Sequence, residues 1–202
     1  MFDLVLRGGE VVDGTGAARF RSDVAVLGDR IAAVAADLPG NGAQEIDVRG
    51  RIVCPGFVDL HSHSDLLFTL PAPAQRRLLG GRLRQGITTE LAGNCGYGPA
   101  PVVPRRLPLL QKMNGFITPD GVDWTWRSFA DYLRVLEERR PLLNVGALVA
   151  HGAVRVASMG MKPGPPTEEE AREMDRLMDQ ASPARIAELA RETGSRSVAF
   201  TY

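Results

Sequence analysis

Lysine is almost missing from this chain: of 24 basic residues only Lys112 and Lys162 are lysines, the rest arginine. Histidine is equally sparse, with His61, His63 and His151 making up the whole complement of three. Cysteine occurs twice, at Cys54 and Cys95, too few for a disulfide framework and in keeping with a reducing cytoplasm. No apolar run approaches the ~20 residues that cross a bilayer. Met1-Phe2-Asp3-Leu4 lacks the basic start and long apolar core of a signal peptide. An excess of either charge is missing too, since 24 acidic residues balance the 24 basic ones. That balance argues against a nucleic-acid or anionic-membrane partner. A soluble cytoplasmic protein is expected.

The 202 residues include 44% hydrophobic and 24% charged residues, an ordinary globular balance with room for one large or two small domains. Residues 1–55 read as a small antiparallel β unit. Short apolar stretches such as Leu4–Arg7, Glu10–Asp13, Ser22–Val26, Arg30–Val34, Glu45–Val48 and Arg51–Val53 alternate with Gly-rich turns. From residue 56 the rhythm changes to strand, helix, strand, helix, strand, helix. Strands are expected at Phe57–His61, Ile87–Ala92 and Leu142–Ala150. Helices are expected at Pro73–Arg84, at Phe129–Arg139 with Ser128 as its cap, and from Thr167 to about Gln180 behind a capping box. This alternation is the pattern of parallel βαβ units. A further helix at Pro183–Glu192 and a strand at Ser197–Tyr202 follow without an intervening strand, so Gln180–Ser182 reads as a seam.

The chemistry gathers in Pro55-Gly56-Phe57-Val58-Asp59-Leu60-His61-Ser62-His63-Ser64-Asp65. Strand side chains alternate, so His61 and His63 project together, with Asp59 and Phe57 behind them. Two such imidazoles can share a divalent metal, although a surface strand end would look the same. Cys95, in Gly93-Asn94-Cys95-Gly96, is expected at the end of the second strand and His151 at the end of the third. Active sites of parallel β/α barrels lie at those ends. With His61 and His63 nearby, Cys95 reads as a metal ligand rather than a buried small hydrophobe. His151 is left open between a hydrogen bond to a metal ligand, a substrate contact and a plain strand end. Turning Cys95 inward turns Glu90 towards the helices, where it needs a basic partner.

The run Pro-Gly-Phe-Val-Asp-Leu-His-Ser-His behind a β unit starting at Leu4-Val5-Leu6-Arg7-Gly8-Gly9 resembles the amidohydrolase superfamily. Gln85-Gly86-Ile87-Thr88-Thr89, then Gly93-Asn94-Cys95-Gly96, then Val149-Ala150-His151-Gly152, is similar to its N-acyl-D-amino-acid deacylases (D-aminoacylases). The resemblance implies an α/β fold: a (β/α) TIM-type barrel preceded by a composite β-sandwich unit. On that reading residues 1–55 form the β unit and 56–202 an incomplete metallo-hydrolase barrel. It also implies zinc on His61, His63 and Cys95, and hydrolysis of an N-acyl-D-amino acid to D-amino acid and carboxylate.

Deacylases further use two later histidines and an Asp near the last strand, which have no counterpart here. Residues 56–202 fall well short of the ~250 of a whole barrel. The chain is therefore expected to be a shortened N-terminal part, self-associating through exposed barrel edges. Two alternatives are kept: a non-catalytic remnant or scaffold needing a partner chain, and a cyclic amide hydrolase. Hydantoinases and dihydroorotases bridge two metals with a carboxylated lysine, and neither Lys112 nor Lys162 lies on a predicted strand.

Overall fold

A ten-residue strand, β1 (Phe2–Val11), organises the first part of the chain. The sequence suggests two strands broken at Gly8-Gly9, but the chain runs straight through. Gly8 takes a positive φ of 71° and the pairing register shifts between Leu6 and Gly9, so the glycines make a β-bulge rather than a turn. β2 (Phe20–Leu27) pairs antiparallel with β1, and β3 (Arg30–Ala35) antiparallel with β2. β4 (Gly42–Asp47) and β5 (Ile52–Val53) instead run parallel to β1. The unit is thus a mixed sheet, not the antiparallel one expected.

The reason is the connection after β3, which carries the chain from one edge of the sheet to the far side of β1. Arg7 fastens that connection, donating to Leu38 O at 2.8 Å and Gly40 O at 2.7 Å while pairing with Asp23 and Glu45 at 2.9 Å each.

This computed structural model describes residues 1–182; the helix and strand expected beyond Pro183 lie outside them. The chain divides into two compact units, Met1–Gly56 and a second beginning at Phe57. The second is α/β, with three parallel strands in the order β6, β7, β8. β6 (Phe57–Asp59) is followed by α1 (Ala72–Arg84), β7 (Ile87–Ala92), α2 (Leu107–Met113), α3 (Phe129–Arg139), β8 (Asn144–Ala147), α4 (His151–Met159) and α5 (Glu168–Gln180).

Local chemistry explains the clear boundaries. α1 has prolines at its start, and the chain leaves its end through Gly86 at φ 87°. The Ser128 and Asp131 side chains close a capping box on α3, and Thr167 and Glu170 do the same on α5. Such caps satisfy backbone donors that a helix start leaves free. Leu66, Phe68, Leu79, Trp126, Tyr132 and Leu136 form the main core. Of the leucines of α1, Leu79 is fully buried, whereas Leu78 and Leu83 stay partly exposed. Trp126 packs in the core and donates to Pro99 O at 2.8 Å.

Three elements depart from expectation. β6 stops at Asp59, two residues before His61, because Asp59 Oδ1 accepts from His61 N at 3.0 Å and turns the chain. The apolar run expected as one strand to Ala150 is a strand only over β8; Leu148–Ala150 are irregular, and α4, which the sequence reading did not expect, begins at His151. α2 forms inside the Pro-containing segment, with its proline in the first turn, where proline is tolerated.

Candidate metal centre

The three donors sit on turns beyond the strand ends. His61 and His63 follow β6, and Cys95 lies in a single 3-10 turn, Asn94–Gly96, after β7. Their donor atoms all lie within 4.8 Å of one another. His61 Nε2 is 3.1 Å from Cys95 Sγ, and the two imidazoles meet edge to face with centroids 5.5 Å apart. His61 and Cys95 are exposed and His63 is half-buried, so the group opens to solvent on one side.

Two observations fit a metal. Donors bound tetrahedrally to zinc at ~2.0–2.3 Å stand roughly 3.3–3.8 Å apart, a spacing that small side-chain rotations reach from here. His63 Nδ1 is buried with no hydrogen-bond partner, and a buried ring nitrogen left unpaired calls for a ligand. Two imidazoles and one thiol are a donor set that suits zinc.

Behind the donors lies a polar network. Ser62, between the two histidines, donates from Oγ to Glu90 Oε2 at 2.5 Å and accepts from Ser64 N at 3.1 Å. Glu90 is fully buried. Its expected basic partner is Arg82 of α1, with Nε 3.1 Å from Oε1, close enough for an ion pair though off the line of a hydrogen bond. Arg82 also donates to Ser64 Oγ. The alternation thus holds in effect: histidines to one side, serines to the other.

Asp65 follows at once and is buried. Desolvation, reinforced by the charge of Glu90, pushes its carboxyl up to about 7, and Oδ2 has no partner. Tyr132 of α3, itself buried and raised by desolvation, donates to Asp65 O at 2.9 Å and ties this turn to the core.

Close approach of the β8 end needs glycine in the Cys95 turn. A β-carbon on Gly93 would strike Leu148 O, and one on Gly152 would strike Gly96 O. His151 therefore lies beside this turn, as the first residue of α4 rather than at a strand end, exposed and outside the donor group. Cys54 is exposed and is no part of the group. Lys112 lies in α2, and Lys162 pairs with Glu170 at 2.9 Å.

Tyr97 and Phe116 flank His63 with ring centroids 6.0 and 6.4 Å away. They carry no motif that sequence reasoning would select. Asp65 did carry one, since it closes the His-Ser-His-Ser-Asp run.

Residues 44–200 match the model of the amidohydrolase family. The chain belongs to that family. It is 37% identical to an N-acyl-D-glutamate deacylase of Alcaligenes xylosoxydans xylosoxydans over 179 residues, 89% of this chain and 35% of the relative. A D-aminoacylase of the same organism is 36% identical over 185 residues, with the same coverage. The structure of N-acyl-D-glutamate deacylase from Bordetella bronchiseptica, complexed with zinc and a phosphonate mimic of the tetrahedral intermediate, is also similar. It superposes with a TM-score of 0.74 at 34% identity, over 89% of this chain and 36% of that one. The chain thus spans about a third of the length of these relatives. Among the described residues no helix is long and apolar enough to cross a membrane.

Proposed function

We propose that His61, His63 and Cys95 hold zinc and that this centre serves hydrolysis of a linear amide, an N-acyl-D-amino acid yielding a D-amino acid and a carboxylate. The observation that carries the reading is the convergence of two imidazoles and a thiol beyond adjacent parallel strands. The similarity to two deacylases supports the substrate class. On this reading the second unit is the opening section of a (β/α) barrel, with the donors at the C-terminal ends where such barrels do their chemistry.

Within that section each residue has a task. His61, His63 and Cys95 supply nitrogen and sulfur donors, and the open side leaves room for substrate. His151, exposed beside the Cys95 turn, is assigned to substrate rather than to metal. Bound zinc would supply Lewis acidity towards the amide carbonyl and acidify water. The outer faces of β6 and β8 lack strand partners among the described residues, and Phe57, Val58 and Leu60 are exposed at β6. A second copy of the chain is the proposed cover, and light scattering at micromolar concentration reads it as a dimer.

The activity test is release of free amine from N-acetyl-D-glutamate and N-acetyl-D-methionine by the zinc-loaded chain. Zinc-dependent turnover above that of His61→Ala is expected. A zinc-loaded chain no faster than His61→Ala would contradict hydrolysis and favour a non-catalytic scaffold.

A further inference from the structure

We propose that Asn94 is a positioning residue of the metal centre, its side-chain amide locking the turn that carries Cys95 against the turn that carries His61 and His63. The proposal rests on the reading of those three residues as metal donors. Asn94 Nδ2 donates to Leu91 O at 2.7 Å and to Ser62 O at 3.2 Å. Ser62 lies between the two histidines, and Leu91 is the penultimate residue of β7. One amide therefore joins the two ligand-bearing segments at their main chains.

Strand pairing does not reach the Cys95 turn itself, because β6 ends at Asp59 and β7 at Ala92. One main-chain bond ties the His61–His63 segment to β7, Ser62 N donating to Leu91 O at 3.0 Å, so the carbonyl that Asn94 grips also receives the other turn. The next residue, Cys95, has φ 57° and ψ 20°, the left-handed region that a β-carbon disfavours. Such a conformation persists where the surroundings over-determine it. Asn94 supplies two hydrogen bonds directly before it.

Asparagine suits the position chemically. Both neighbours of the side-chain nitrogen are carbonyl acceptors, so the two N–H donors of a carboxamide match them. An aspartate there would set a carboxylate against two carbonyl oxygens. With its side-chain nitrogen spent on two carbonyls, Asn94 acts through the Cys95 turn and through the main chain of Ser62.

Cobalt(II) binding to the 202-residue chain tests this, with the thiolate-to-cobalt charge-transfer band reporting Cys95. Asn94→Ala is expected to weaken cobalt affinity ~10–100-fold, the usual loss when a group behind a ligand is removed. The charge-transfer band per bound cobalt should weaken too, while the urea midpoint changes little. Ser62→Ala is the counterpart: it keeps the main-chain carbonyl that Asn94 grips but removes the bond to Glu90. It should lower the urea midpoint and keep the band.

Asn94→Ala binding cobalt within about twofold of wild type with an unchanged band would overturn the proposal. Loss of the band in Ser62→Ala would also overturn it, since any loosening would then suffice. If Asn94→Ala gives no folded protein, Asn94→Ser carries the same prediction. Absence of the band in wild type would overturn the donor assignment first and the proposal with it, whereas the Asn94 outcomes overturn the proposal alone.

Discussion

Each unit of this protein contains an arginine paired with a buried carboxylate, and the two clusters differ in what lies unpaired beside them. In the first unit Arg7 bonds Asp23, Glu45 and two loop carbonyls, and Asp23 also accepts from Gly8 N and Leu38 N at 2.7 and 3.1 Å. Every polar group in that cluster has a use, and the use is to fasten a loop. In the second unit Arg82, Glu90, Ser62 and Ser64 fasten one another, but beside them His63 Nδ1 and Asp65 Oδ2 are buried without partners. Native structures rarely leave such groups unpaired. The contrast separates a structural ionic cluster from the back wall of the proposed site.

The largest effect should come from breaking the buried cluster. Glu90→Ala leaves Ser62 and Arg82 without their shared carboxylate and should cost about 2–3 kcal/mol in urea unfolding. That is below the usual cost of breaking a buried pair because Arg82 is 35% exposed. Asp23→Asn in the first unit should shift the urea midpoint less, and an equal or larger shift would erase the distinction drawn between the clusters.

Next come the donors. His63→Ala should lower zinc affinity at least ~100-fold in competition with a chromophoric chelator while moving unfolding of the metal-free chain by less than about 0.5 kcal/mol. Large destabilisation with unchanged zinc affinity would mark His63 as a packing residue.

Cys95→Gly should act in opposite directions on the two properties. It removes a β-carbon from a backbone at φ 57° and should stabilise the metal-free chain by about 1 kcal/mol, while cobalt loses its thiolate band. A destabilised variant would show that the left-handed turn is not strained.

The smallest effect lies far from the site, at the capping box of α5. Glu170 is held at about 2, first by the Thr167 N–H and then by Lys162. A carboxylate with a lowered folded value stabilises the fold above its unfolded value of 4.5 and loses that contribution as pH falls towards 2. Acid unfolding of Glu170→Gln should therefore converge with wild type below about pH 2. A gap that widens on acidification would contradict the assignment.

Much of the fold was legible where local chemistry decides it. Ser128, Thr167 and Gly86 mark helix ends by capping and by positive φ, and β7 has the expected boundaries, Ile87–Ala92. The parallel course of β4 was hidden, because it depends on where a loop travels rather than on any residue within the strand. α4 was hidden because it starts directly after Ala150, with no side-chain cap to mark it. At the site, His-x-His and Cys95 stood out by residue type and spacing, and the structure brings them within reach of one another. The way it does so differs from simple strand alternation, since β6 ends before His61. Asn94 and the Ser62–Glu90 bond were invisible for another reason: each joins segments about thirty residues apart, and neither partner is unusual alone.

X-ray absorption at the zinc edge of the loaded chain tests the central claim most directly. One sulfur at about 2.3 Å with imidazole nitrogens at about 2.0–2.1 Å is the expected first shell. The sulfur should vanish in Cys95→Ser, and the imidazole signal should diminish in His61→Ala. A shell of oxygen and nitrogen alone in wild type, or a sulfur that survives Cys95→Ser, would contradict the account.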